Sequence, residues 1–239
     1  FDSLERLHGF MGALQQVVAR HDILRTGVVW EGLDSPVQVV WREARLVVQE
    51  VHLDPADGGI IEQLHARFDA RHYRLDITQA PLLRMVYAQD PVLDRVAAIL
   101  LFHHLALDHT AMEVVGQEMR ACMLDQASAL PEAAPFRNYV AQARLGVSVA
   151  EHEQFFREML ADVDEPTLPF GLQDVQGDGR AIEEAGLQLG TELAQRVRQQ
   201  ARQLGVSAAS LMHLAWAQVL GLVSGRDDVV FGTVLMGRM

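Results

Sequence analysis

Two apolar segments joined by a short polar turn, and followed at once by a capped helix, constrain this chain more than any other feature in it. Leu82–Ala88 and Arg95–His104 have strand-like composition and flank Gln89–Asp94, and the second of them is apolar almost throughout. A run of that kind belongs in a sheet covered on both faces, which predicts a central strand. Directly after it, Thr110-Ala111-Met112-Glu113 has the pattern of a capping box, and Met112, Val115, Met119 and Cys122 fall on one helical face. Strand, turn, strand and helix thus follow one another within a short stretch.

The flanking segments extend that reading. Leu4, Leu7, Met11, Leu14 and Val18 form a single stripe, predicting a helix over about residues 3–21 that opens at Asp2-Ser3-Leu4-Glu5. Val28–Trp30 and Val37–Trp41 on either side of the turn-forming Glu31–Pro36 predict a hairpin. Val47–Leu53 reads as a strand, Ile61, Leu64 and Phe68 as a short helix before Pro81, and residues from about 137 to 161 as helix. Residues 162–180 concentrate Pro, Gly and acid and break both periodicities, as a crossover between two lobes would. Beyond it, Ile182–Leu189 reads as a strand, and a helix starting at Thr191 carries Leu193, Val197, Ala201 and Leu204 on one stripe. Ser207 is placed to cap a helix over Ala208–Val223, apolar nearly all round and therefore expected to be buried, and Asp228–Leu235 reads as a last strand.

Charge narrows the classes of partner. The 239 residues hold 20 Lys+Arg against 32 Asp+Glu, a net −12 whose field repels nucleic acid and anionic membranes. With 49% apolar and 22% charged residues the chain has the composition of a folded core, and its longest apolar runs, such as Val96–Phe102, are too short to span a bilayer. Cys122 is the only cysteine, which excludes an internal disulfide framework and Cys-based zinc or iron–sulfur sites. That cysteine usage is the one expected of a reducing cytoplasm, and Phe1–Gly12 lacks the basic-then-apolar layout of a secretory signal.

Chemistry concentrates in Phe102-His103-His104-Leu105-Ala106-Leu107-Asp108-His109. Adjacent side chains on a strand point to opposite faces, so His103 and His104 cannot play the same part, and one enters a cleft while the other packs beneath it. Asp108 precedes Thr110 by two positions, is not needed as the cap on that reading, and is available to pair with a cation. Two other readings stay open from the residues alone: strand-end histidines satisfied by backbone groups, and a metal site of His104, Asp108 and His109, which has no local His-x-x-x-His pattern to complete it. A Ser–His–Asp hydrolase is disfavoured, since no Gly-x-Ser-x-Gly elbow occurs and Ser210 lies in a helix expected to be buried. Gly177-Asp178-Gly179 lacks the Lys-Ser/Thr and the preceding strand of a phosphate loop, and Cys122 sits on an apolar stripe as a core residue would. A second polar patch, Arg20-His21-Asp22-Ile23-Leu24-Arg25-Thr26, ends the first helix, where the dipole favours cations.

Taken together, these two patches resemble the condensation domain of a nonribosomal peptide synthetase. Arg20–Thr26 matches that family's Arg-His-x-x-Leu-Arg-Thr motif, and His103–Asp108 its His-His-x-x-x-Asp-Gly motif. Pro81-Leu82-Leu83-Arg84, Pro135-Phe136-Arg137-Asn138-Tyr139, Asp227-Asp228-Val229-Val230-Phe231-Gly232-Thr233 and Gly237-Arg238 resemble further segments in the family's order. His109 departs from the pattern, putting a bulky ring where the family usually has glycine. The His-His-Leu-x-Leu-Asp-His form and Pro-Phe-Gly-Leu-Gln-Asp-Val, residues 169–175, resemble the dual condensation/epimerisation subclass. The chain stops at Met239, before the family's later motifs.

The resemblance implies a chloramphenicol acetyltransferase-like α/β fold: a two-lobed, V-shaped condensation domain with the second lobe incomplete. Residues 1–160 would form the N-terminal lobe, 161–180 the crossover and 181–239 the beginning of the C-terminal lobe, and a strand left unpaired at the end would make the chain unstable or adhesive alone. The implied reaction joins a donor acyl thioester to an acceptor amine, both on phosphopantetheine arms of upstream and downstream peptidyl carrier domains, beside an adenylation domain and with no directly bound cofactor or metal. His104 would carry the reaction and His103 support the fold, with Asp108, Arg25 and His109 supporting the site. Asp108 is expected to pair with Arg25 before Arg20 or Arg84. Other classes compatible with the same chain are a catalytically silent carrier-docking domain and a free-standing coenzyme A-dependent acyltransferase.

Overall fold

The apolar stripe of the first segment folds as α1 (Leu4–Arg20), capped by the Ser3 hydroxyl, which accepts the Arg6 N–H at 3.2 Å. The computed structural model describes residues 1–172 and 177–234. Its elements continue with a 3-10 turn (Asp22–Arg25), β1 (Thr26–Val29), β2 (Val37–Val40), β3 (Val47–Glu50), α2 (Ile60–Arg67), β4 (Leu83–Asp90), β5 (Arg95–Phe102) and α3 (His109–Met123). Then come α4 (Phe136–Leu145), α5 (Val149–Met159), α6 (Thr191–Leu204) and α7 (Ala208–Ser224). Two units emerge from the packing, Phe1–Ser148 and Val149–Val234.

In the first unit the expected hairpin forms, β1 and β2 pairing antiparallel from Thr26 opposite Val40 to Val29 opposite Val37. A separate sheet has the order β3-β4-β5, parallel in its first pair and antiparallel in its second. The central strand is therefore β4, and β5, expected to be central from its composition, is an edge among the described residues. Its apolar side chains are still covered because helices lie on both faces, and the backbone of Phe1 pairs with Val96 in both directions at 2.8 Å.

Strand alternation sorts the side chains of β4 and β5 between two cores. Leu83 and Met85 join Leu14, Val17 and Val18 of α1 and Val115 and Met119 of α3. Val86 and Ala88, from the other face, join Ile60, Leu64 and Phe68 around α2. Leu7, Leu14, Val17 and Val18 are fully buried, and each contributes about 1.5–3 kcal/mol by leaving water. This α1/α3, sheet, α2 layering fixes where β5 ends and α3 begins, and that junction carries the His-His motif.

In the second unit α6 and α7 pack together, the chain turning between them through Gly205 at φ +67°, a conformation that costs glycine least. Four expectations are corrected here. The helix predicted over 137–161 is two, α4 and α5. Residues 182–189 form no strand, and neither do 228–234, where Val230 N–H donates to Thr167 Oγ1; the rest of the predicted last strand lies outside the described residues. Alternation makes a strand only where a neighbour offers a ladder, and the described residues offer none there. Finally, α7 is not buried: Leu220 is, but Trp216 and Leu222 are exposed, since chiefly α6 and the short turn Pro169–Gly171 contact it.

Candidate active site

The His-His segment begins where the β4–β5 ladder ends. His103 N–H still donates to Leu82 O at 3.1 Å, extending the pairing by one residue, and the chain then turns so that Ala106 and Leu107 donate back to His103 O at 3.0 and 3.3 Å. Ala106 and Leu107 are buried to about 1% exposure, which pins the turn to the core. His103 is half-buried and His104 exposed, and His104 meets the Phe102 ring edge-on with centroids 5.5 Å apart.

Hydrogen bonding fixes the proton on each ring. Leu105 N–H can only donate, so His103 Nδ1, 3.1 Å away, is an unprotonated acceptor, and the neutral ring carries its hydrogen on Nε2. Leu107 O can only accept, so His104 Nδ1, at 3.0 Å, carries a hydrogen, and neutral His104 keeps a lone pair on Nε2. Burial, with the adjacent His104 second, pushes the His103 pKa below the ordinary 6.5.

Asp108 caps α3. Its Oδ1 accepts Ala111 N–H at 2.7 Å, so Asp108 and not Thr110 begins the helix, and the expectation that it is not needed as the cap is corrected. An aspartate at the extended N-cap position outcompetes a threonine already inside the first turn. Arg25 is likewise turned elsewhere than expected. Its guanidinium donates to Trp41 O and to Arg42 O (3.2 Å), carbonyls at the end of β2, and not to Asp108. Arg84 donates to the Tyr73 hydroxyl, and Arg20 faces Glu118 at 3.1 Å and donates to Pro131 O. His109 points along the exposed face of α3, 3.4 Å from Glu113. Among the described residues no three His, Cys, Asp or Glu side chains gather as a metal site would require.

Two functional neighbours escaped the sequence. Glu118 of α3 is buried and binds both Arg20 and His21, the latter at 2.7 Å. Asp22 receives the Phe136 N–H on both carboxylate oxygens at 3.0 Å, satisfying the first turn of α4, whose N-cap residue is Pro135 and offers no side-chain acceptor. The Arg20–Thr26 motif is thus a hub that ties α1 to α3, α4 and β2. The sequence offered a helix-dipole role for its cations and a family motif with Arg25 paired to Asp108, and none of these ties.

The chain has relatives. A family model described as Condensation domain matches residues 5–239. Malpinin synthetase of Mortierella alpina is 54% identical over 239 residues, all of this chain and 3% of the synthetase, and a linear gramicidin synthase of Brevibacillus parabrevis is 33% identical over 97% of this chain and 3% of its own. The chain therefore spans a small fraction of the length of these proteins. Among solved structures, the condensation domain from Monacolin K polyketide synthase MokA superposes with a TM-score of 0.66 at 19% identity, covering 91% of this chain and 52% of that one. The fold is the expected chloramphenicol acetyltransferase-like α/β fold with a partial second lobe, and the chain belongs to the condensation domain family, as its resemblance to the condensation domains of nonribosomal peptide synthetases implied.

Proposed function

We propose that this chain serves in amide-bond formation between a carrier-bound donor acyl or peptidyl thioester and the amine of a carrier-bound aminoacyl acceptor. The observation that supports this most is the donation of His104 Nδ1–H to Leu107 O, which leaves the exposed Nε2 of neutral His104 as a proton acceptor. His103 offers no such nitrogen, because its acceptor is taken by Leu105 N–H. A thioester is already activated, so the protein mainly has to align two tethered ends and manage one proton. In the proposed step the acceptor nitrogen bonds to the thioester carbonyl carbon, and its surplus proton passes to His104 Nε2. The carbon–sulfur bond then breaks and the thiolate leaves, taking up that proton.

On this reading His104 is the catalytic residue, His103 supports the turn, Asp108 holds the start of α3, and Arg25 and His109 shape the surroundings. The substrates ride on phosphopantetheine arms of upstream and downstream carrier domains, with an adenylation domain adjacent and the assembly in the cytoplasm. The lobe boundaries belong to the same reading: 1–160, crossover 161–180 and 181–239. The similarity of the His-His-Leu-x-Leu-Asp-His form to the dual subclass adds epimerisation of the donor residue; residues 173–175 of its second segment lie outside the described residues.

The decisive measurement is amide formation by the full-length protein containing this chain, with both carriers loaded and with coenzyme A thioesters as the comparison. His104→Ala is expected to lose roughly 10²- to 10⁴-fold with both carriers still bound. Near-normal amide formation by a well-folded His104→Ala overturns the catalytic assignment. Carrier binding without turnover in the unaltered protein indicates a silent docking domain, and turnover from coenzyme A alone a free-standing acyltransferase.

A further inference from the structure

A cavity of about 500 Å³ lies between the 3-10 turn, α3 and α4, entirely within the first unit. Its walls include Ile23, Leu24, Leu107, Val115, Phe136 and Tyr139. The size falls in the range of small-molecule sites. Two features say what it could hold. First, Leu107 both lines it and supplies the carbonyl that orients His104, so the cavity is one residue removed from the imidazole assigned to the reaction. Second, the charged or chargeable groups in the lining are already engaged: His21 with Glu118, and Asp22 with the Phe136 N–H. Neither is left to select a charged ligand, while the aliphatic and aromatic walls gain by removing apolar surface from water.

We infer that this cavity is a specificity pocket for a neutral apolar group, an aliphatic or aromatic side chain or a short acyl tail, on one of the two thioester-bound reactants. The inference rests on the condensation reading for the identity of those reactants, and on the cavity alone for their chemistry. The donor and the acceptor can each present such a group, and the experiment separates them.

Two variants narrow the cavity from opposite walls: Ala111→Phe on α3, and Gln142→Trp on α4, where the native side chain is exposed and a larger one is tolerated by the fold. In the full-length protein, amide formation is measured with Ala, Leu and Phe in turn as the donor residue against a glycyl acceptor, then with the same series as the acceptor residue against a fixed donor. In one of the two series the preference for Leu and Phe over Ala should fall by about 10-fold or more, the alanyl rate staying within about 2-fold. The series that responds identifies which reactant fills the pocket. Equal losses for every side chain, or an unchanged preference in both series, overturn the inference.

A binding measurement keeps this apart from the condensation reading. N-acetylcysteamine thioesters of leucine and alanine are titrated onto the full-length protein containing this chain by ligand-observed NMR, with and without Gln142→Trp. A leucine-over-alanine preference that Gln142→Trp abolishes supports the pocket even if no amide is ever formed, in which case the condensation reading fails by itself. Amide formation with no dependence on side-chain size, and no binding preference, overturns the pocket and leaves the reaction standing.

Discussion

His103 accepts the Leu105 N–H on its Nδ1 while its neighbour His104 gives the Nδ1 hydrogen to the Leu107 carbonyl, so two adjacent imidazoles are held in opposite tautomers by one tight turn. The division of labour follows from chain geometry alone. The donor lies two residues beyond His103 and the acceptor three beyond His104, and both come from the segment that the buried Ala106 and Leu107 fix in place.

The His103 tautomer makes stability depend on pH in a definite direction. Its folded pKa is lowered, by burial first and the neighbouring His104 second, and protonating Nδ1 would also displace the Leu105 N–H. The unfolded chain therefore binds this proton more readily, so the contribution is complete above the unfolded value and is lost as pH falls below 6.5 toward the lowered folded value. Urea denaturation of the natural chain and of His103→Gln between about pH 8 and pH 5 should show a stability difference that is flat at high pH and shrinks below 6.5. A difference independent of pH would show that His103 titrates alike in both states.

The cap on α3 is separable from a pairing with Arg25. Asp108→Ala should cost about 0.5–2 kcal/mol in chemical denaturation, and Asp108→Asn, which keeps an acceptor for Ala111 N–H, should recover the capping part. Because Arg25 binds carbonyls at the end of β2 and Asp108 accepts the Ala111 N–H, Arg25→Ala and Asp108→Ala should add to within about 0.5 kcal/mol. A coupling well beyond that would mean that the two side chains meet after all.

Glu118 should be among the least replaceable polar residues of the first unit. It is buried and holds Arg20 and His21 on one oxygen, so Glu118→Ala takes the ion partner from Arg20 and the hydrogen-bond partner from His21 at the α1–α3 contact and should lower stability by about 1–3 kcal/mol. Glu118→Gln keeps one acceptor and should lose less. Equal stability of all three proteins, measured by denaturant titration, would deny this contact an energetic role.

What could be read from the sequence follows from how local each signal is. The α1 stripe, the hairpin around Glu31–Pro36 and the Ser207 cap of α7 depend on residues within a turn or two of each other, and all appear in the structure. The parallel pairing of β3 with β4 joins strands separated by α2, and no spacing announces it. The strand expected at 182–189 failed for the converse reason, since Ile182, Leu187 and Leu189 supply apolar side chains but the described residues provide no ladder. In the site, the His-His motif was legible as a unit of adjacent residues, whereas Glu118 lies inside an ordinary helical stretch and joins His21 only through packing of α1 on α3. The cap at Asp108 is hidden because Asp108 and Thr110, two competent cap residues, stand two apart, and only backbone geometry decides between them.

Asp22 and Phe136 give the last expectation. The carboxylate reaches across from the end of α1 to the first N–H of α4, doing for a helix that starts after Pro135 what a local cap would otherwise do. Asp22→Ala should therefore loosen α4 in particular, at a cost of about 1–3 kcal/mol for an unsatisfied donor. Hydrogen exchange should report this locally, the Phe136 amide exchanging at least about 10-fold faster while the β4 and β5 amides change little. Asp22→Asn retains an acceptor and should restore much of the protection. Since Phe136 and Tyr139 of α4 form one wall of the cavity beside Leu107, a loosened α4 should also blunt discrimination between large and small apolar side chains before it affects the proton transfer assigned to His104. Equal protection of Phe136 in Asp22→Ala and the natural chain would show that α4 is held by its packing and not by this carboxylate.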